Sequence, residues 1–189
     1  QTGAGTSDIR LRSLTGFGGA ELFVNTTTHK LRIENCKHTS WVRAFSATGD
    51  YVINNLDVTI ADAPISVTRS SYLIACGGVS RGVIRNITIQ STSSTKQQYV
   101  VQSLATENLT IENSEVIGDI LSGAFIRAVS AKMVKLRKVK AISASHLIRL
   151  ESNCDKILID QCTKPTSNIL YYDVSSNSTN INEINTLIF

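Results

Sequence analysis

One short pattern recurs along this chain and restricts what it can become: apolar–x–apolar–x–polar–apolar, most often with asparagine at the polar position. It reads LRIENC at 31–36, YVINNL at 51–56, VIRNI at 83–87, LTIENS at 109–114, VKLRKV at 134–139 and ILIDQC at 157–162, with a weaker copy, IRLRSL, at 9–14. The interrupting residues are Ser13, Asn35, Asn55, Asn86, Asn113, Lys138 and Gln161, spaced 20 to 31 residues apart. A repeat of about 25 residues marks a stack of similar units, each burying its apolar face against its neighbours.

The alternation within each copy has the period of a strand, and no helical period is sustained anywhere. A further strand-like segment precedes the copies: WVRAF, YLIAC, YVVQSL, AFIRAV, HLIRL and ILYYDV. A third often follows the asparagine, as in LDVTI at 56–60 and ITI at 87–89. Each unit is therefore expected to hold three short strands, with units stacked in parallel ~4.8 Å apart. The asparagine reads as a corner, because it tolerates the left-handed backbone region better than most residues. Stacked along one column, the asparagines are expected to bond to one another as buried amides must.

The strings VIRNITI, LTIENSEV and YVINNLDVTI resemble the second-strand, Asn-corner, third-strand units of the pectin lyase-like superfamily. The resemblance covers most of residues 9–175 and lies in a fold-level pattern, not in a catalytic motif. It implies an all-β, right-handed parallel β-helix of about seven coils, forming a single domain over 1–189. The superfamily includes pectate lyases, polygalacturonases and the trimeric tailspikes of bacteriophages; the fold alone does not choose among these activities.

Composition narrows the choice. The chain is 42% hydrophobic and 18% charged, with no apolar run long enough for a membrane span. Its first residue is Gln and no signal peptide is visible, so it reads as an excised piece of a longer chain. The net charge of +4 permits an acidic partner without demanding one, and no nucleic-acid partner is expected. Cys36, Cys76, Cys154 and Cys162 show no metal-binding spacing, so free thiols are expected, with no metal and no cofactor. Cys36 and Cys162 fall in one column, too far apart to be bridged. The sequons at Asn25, Asn86, Asn108 and Asn177 are expected by chance in so Asn- and Thr-rich a chain.

Aligning the copies produces columns. Just before the corner, the outward column reads Glu34, Asn54, Arg85, Glu112, Arg137, Asp160, whose alternating charges predict a surface ion-pair ladder. The basic run KMVKLRKVK at 132–140 is flanked by acids on both sides, so most of its charge is expected to be paired. In the first strand, Val42, Ile74, Val101, Ile126 and Ile148 point inward, and Arg43, Ala75, Gln102, Arg127, Arg149 and Asp173 outward. The column before them, Trp41, Leu73, Val100, Phe125, Leu147 and Tyr171, reads as an apolar stripe on an outer face, which something should cover. A homotrimer contact is the first candidate, a glycan platform the second. Trp41, Arg43, Gln102, Arg127, Arg149 and Tyr171 are the candidate ligand-binding residues, beside the long loops 61–71 and 90–98.

Catalysis is less legible. Glycoside hydrolysis needs two carboxyl groups ~5–9.5 Å apart, and Asp57 with Asp62, or Glu115 with Asp119, are the candidate pairs. No acid cluster like the calcium site of pectate lyases is present, nor the Asp–Asp arrangement expected of polygalacturonase-like sites. The expected function is a bacteriophage tailspike-like segment, on a virion tail or otherwise extracellular, that recognises a bacterial surface polysaccharide. A secreted polysaccharide lyase or glycoside hydrolase of the same fold, and a structural spacer, are the alternatives.

Overall fold

The computed structural model describes residues 8–17, 23–25, 30–40, 45–62, 72–78, 81–142, 144–163, 172–174 and 181–184. All the regular structure among them is strand. The strands begin with β1 (Asp8–Arg12), β2 (Thr15–Phe17), β3 (Phe23–Asn25), β4 (Lys30–Ser40), β5 (Phe45–Thr48) and β6 (Tyr51–Ile60). They continue with β7 (Tyr72–Gly77), β8 (Arg81–Ser91), β9 (Tyr99–Leu104), β10 (Asn108–Val116) and β11 (Ala124–Val129). The last are β12 (Val134–Lys140), β13 (His146–Glu151), β14 (Ile157–Asp160), β15 (Tyr172–Val174) and β16 (Ile181–Ile184).

They form two parallel sheets. The first runs β1-β4-β6-β8-β10-β12-β14-β16, with β2 also paired to β4, and the second runs β15-β13-β11-β9-β7-β5-β3. From β3 onward, consecutive strands alternate between the sheets. One core lies between them, lined by in-register apolar columns. Ile33, Ile53, Ile84, Ile111, Leu136 and Ile159 supply one column from the first sheet, and all are buried. Ile74, Val101, Ile126 and Ile148 face them from the second.

All seven interrupting residues adopt left-handed backbone: Ser13, Asn35, Asn55, Asn86, Asn113, Lys138 and Gln161 have φ of 53, 55, 56, 53, 49, 52 and 51°. The burial of β6 shows what this does. Ile53 faces in, Asn54 and Asn55 both face out, and Leu56 faces in again. One left-handed residue turns the chain while keeping the segments on either side in phase with the core. Asn55 Nδ2 donates to Asn35 Oδ1 at 2.8 Å, and Asn86 Nδ2 to Asn55 Oδ1 at 2.9 Å, so the amides do bond from strand to strand. They are exposed, however, and not buried.

Other expectations change. The second and third short strands are single continuous strands, bent at the corner, because the ladder resumes one residue past it: Glu34↔Asn54, then Cys36↔Leu56. A second left-handed column follows the second sheet's strands, at Gly49, Gly78, Ala105, Ser130 and Ser152; its mixed residue types carry no common sequence signal. The apolar stripe is not on the surface: Leu73, Val100, Phe125 and Leu147 are each at most 1% exposed. The ladder skips this column, passing from Tyr72↔Tyr99 to Ile74↔Val101 and from Ala124↔His146 to Ile126↔Ile148. The chain bends there, and two successive side chains point inward. Trp41 and Tyr171 lie outside the described residues. The large apolar side chains exposed among the described residues, Leu14, Leu104 and Ile117, are scattered. The four described members of the stripe on which a trimer contact was expected are thus absent from the surface.

The four cysteines are buried and free. The charge ladder is present, with Arg12–Glu34 at 2.5 Å, Arg85–Glu112 at 2.9 Å and Arg137–Asp160 at 3.4 Å. In the basic run, Lys132 pairs with Glu107 at 3.4 Å. Lys135, Lys138 and Lys140 are exposed with no carboxylate at ion-pair distance among the described residues, so that run is less neutralised than its flanking acids suggest.

Candidate functional site

Beyond the corner, each strand of the first sheet turns polar side chains outward. Strand register places Thr15, Lys37, Asp57, Thr88, Glu115 and Lys140 in one column. Two residues further along, Thr39, Thr59 and Gln90 form a second column, and Gln90 Nε2 donates to Thr59 Oγ1 at 3.1 Å. These residues line two shallow clefts. One, of about 380 Å³, is bordered by Thr15, Lys37, Thr39, Asp57, Thr59, Thr88 and Gln90. The other, of about 340 Å³, is bordered by Asn86, Thr88, Asn113, Glu115, Lys138 and Lys140. They share Thr88, so together they make one polar track running across the strands.

Of the four candidate catalytic acids, two share the track and two have partners beyond the strand ends. Asp57 and Glu115 both lie on the track, two strand spacings apart, or ~9.6 Å along the sheet, with Thr88 between them. Asp57 is 3.5 Å from Lys37 Nζ, in an open setting where both side chains are more than half exposed. Asp62 leaves the track to accept a hydrogen bond from Ser93 Oγ at 2.6 Å, and Asp119 pairs with Lys96 at 2.5 Å. Those two acids tie down the segments past the strand ends.

The expected ligand set does not make an open platform. Gln102 is buried. Arg127 forks onto Glu151, with Nε–Oε1 at 3.1 Å and Nη2–Oε2 at 2.6 Å. Its guanidinium also lies 6.0 Å from the centre of the Tyr99 ring. Arg149 Nε is 2.9 Å from the same carboxylate, at Glu151 Oε1. The fork from Arg127 holds the Glu151 carboxyl below its usual range against the opposing effect of burial, and raises Arg127 in turn. Trp41 and Arg43 from this set, like Tyr171, lie outside the described residues. Sequence reasoning missed Glu151 because it tracked one outward column, whereas Glu151 stands in the next, beside Val129.

His38 was also missed. It sits inward on β4 between Gly16 and Val58, forms part of the larger cleft, and is 5% exposed. Neither ring nitrogen has an aligned hydrogen bond. Burial lowers its pKa from the ordinary histidine value of 6.5, against a smaller raising influence of the Gly16 backbone. Lys37 and Asp57 share the cleft but are turned outward. The unfolded chain therefore binds a proton at His38 more readily than the folded one. Folding stability is expected to be flat above pH 6.5 and to fall below it, by up to about 1.4 kcal/mol per pH unit for one site. Urea midpoints measured between pH 5 and 7 check this, since that window lies above most carboxylate titrations. His38→Leu should flatten the slope there; an unchanged slope would assign it to another group.

No group of three or more His, Cys, Asp or Glu among the described residues could hold a metal ion. No helix there is long and apolar enough to cross a membrane. The chain matches no family model, no curated protein and no solved structure.

Proposed function

We propose that the two sheets are faces of a right-handed parallel β-helix and that the polar track on its outside binds a bacterial surface polysaccharide, as a segment of a phage tailspike-like receptor-binding protein. The alternation of strands between two parallel sheets from β3 onward supports the helical path, and crossovers between parallel strands of one sheet are right-handed in about 98% of cases. On this reading each coil spans one sequence repeat, and the protein works on a virion tail or elsewhere outside the cell.

One observation carries the functional reading: Thr15, Lys37, Asp57, Thr88, Glu115 and Lys140 are in register across successive strands and border two clefts joined at Thr88. Such a track offers hydroxyl, carboxylate and ammonium groups at each strand spacing. It suits a ligand that itself repeats and is rich in hydroxyls. Asp57 and Glu115 serve as hydrogen-bond acceptors for sugar hydroxyls. Trimeric assembly is not part of this reading, because the four described residues of the stripe that suggested it, Leu73, Val100, Phe125 and Leu147, are buried.

Thr88→Trp tests it. Thr88 points outward, so an indole there obstructs both clefts while sparing the core. Binding to polysaccharide extracted from bacterial surfaces, followed by biolayer interferometry, should weaken at least tenfold, a loss of about 1.4 kcal/mol. Arg127→Ala should bind as the parent does. The opposite pattern would move the site to the second sheet. The Asp57 and Glu115 strand positions, ~9.6 Å apart, are close to the carboxyl spacing of inverting glycosidases, and the alternative, a hydrolase, is tested on these two residues. Release of reducing ends by the parent and its loss in both Asp57→Asn and Glu115→Gln would establish that activity.

A further inference from the structure

The corner column contains three residues that are not asparagine, Ser13, Lys138 and Gln161, and of these Lys138 is the one that lines a cleft of the polar track. Lys138 holds φ of 52°, a conformation that asparagine and glycine adopt at much lower cost than lysine. Asparagine occupies the equivalent place in four of the other copies, and in three of them, Asn35, Asn55 and Asn86, it also bonds along the column. The chain of amide bonds reaches Asn86 and stops, since the Asn113 side-chain amide has no hydrogen bond among the described residues. The left-handed Lys156 differs, because its N–H is held by Asp155 Oδ1 at 2.8 Å. Lys138 shows no such local compensation.

Its surroundings supply a reason. Lys138 lines the smaller cleft together with Lys140, Asn113, Glu115, Asn86 and Thr88. Lys140 stands beside Glu115 in the ladder, yet neither lysine has a carboxylate at ion-pair distance among the described residues. The cleft thus holds two unneutralised ammonium groups, the free Asn113 amide and a single carboxylate. Backbone strain retained at a cleft points to use of the side chain.

We propose that Lys138, with Asn113 and Lys140, forms a subsite for a carboxylate carried on the polysaccharide, and that lysine is kept at this corner for binding at the expense of stability. This rests on the polysaccharide reading of the same track, and it adds which sugars the track selects. The ammonium groups would contact the carboxylate directly, Asn113 would donate through its amide, and Glu115 would disfavour a second acidic group at the next position.

The test compares an acidic oligouronide with its carboxyl-reduced neutral counterpart of equal length, using Lys138→Asn, Lys140→Gln and Thr88→Trp. The parent should bind the acidic form roughly three- to fivefold more tightly, as expected for an exposed charge contact, and the preference should vanish at high salt. Lys138→Asn should lose the preference, keep its affinity for the neutral form and unfold at a higher temperature than the parent. Lys140→Gln should reduce the preference without changing the unfolding temperature. Thr88→Trp should lose both ligands. Equal binding of the two ligands by the parent would overturn the subsite but leave the polysaccharide reading standing; binding of neither would overturn both. A Lys138→Asn variant that gains stability while retaining the acidic preference would show that the lysine is simply solvated. One that loses stability would remove the strain argument.

Discussion

Replacing Gly82 with alanine is expected to destabilise the fold by about 3 kcal/mol, combining an overpacking cost with the partial ejection of a buried ring. Gly82 is the register partner of Tyr51, whose side chain is only 1% exposed. A Cβ on Gly82 would lie 2.0 Å from Tyr51 Oη, 2.1 Å from Cζ and 2.6 Å from Cε2. A tyrosine ring has two torsions and cannot fold away as a long aliphatic chain can. Its hydroxyl is also engaged with the Cys76 thiol, which burial pushes up to about 12. Either the ring leaves the core or the strands separate. For a chain of this size, the corresponding drop in melting temperature is roughly 6–12 °C. Tyr51→Leu in the Gly82→Ala background should recover part of the loss, giving a coupling energy well above the ~0.5 kcal/mol of independent sites. A Gly82→Ala variant within about 0.5 kcal/mol of the parent would show that the ring has another place to go.

Asn86 carries the second large effect, and two substitutions separate its causes. Its φ is 53°, and its Nδ2 lies 2.9 Å from both Asn54 Oδ1 and Asn55 Oδ1. Asn86→Val places a β-branched residue in the left-handed region and removes both bonds, at about 2–3 kcal/mol. Asn86→Gly removes the same bonds but keeps the backbone accessible. Because those bonds are exposed, it should cost about 1 kcal/mol or less. Equilibrium urea unfolding of the two variants checks the difference. Equal losses would put the contribution in the amide, not in the backbone.

The features legible in the amino-acid sequence share a physical basis: they are decided within a few residues. The left-handed corner at Asn35, Asn55, Asn86 and Asn113 follows from the side chain's tolerance of that region. The inward Ile53, Ile84 and Ile111 follow from a period of two, and the repeated spacing of these signals is enough to align Arg85 with Glu112 and Arg137 with Asp160. Serine, lysine and glutamine fall in the corner column by alignment with the asparagines, and they too are left-handed.

Tertiary structure decided the rest, wherever a bend or a neighbouring strand overrides local alternation. Leu73, Val100, Phe125 and Leu147 alternate outward on paper and lie inward in the fold, because the chain turns at that column and the apolar side chains follow the core. Gly82 is an unremarked residue until Tyr51 on the adjacent strand fills the space above it. Arg127 and Arg149 read as free ligands for a sugar until Glu151, one column away, draws both in. Asp57 and Glu115 are 58 positions apart in the chain and share a face only because three strands stack in register. Local chemistry set the asparagine corners and the alternation on either side of them; the stacking determined where the second sheet's strands turn their apolar residues inward and which polar groups meet.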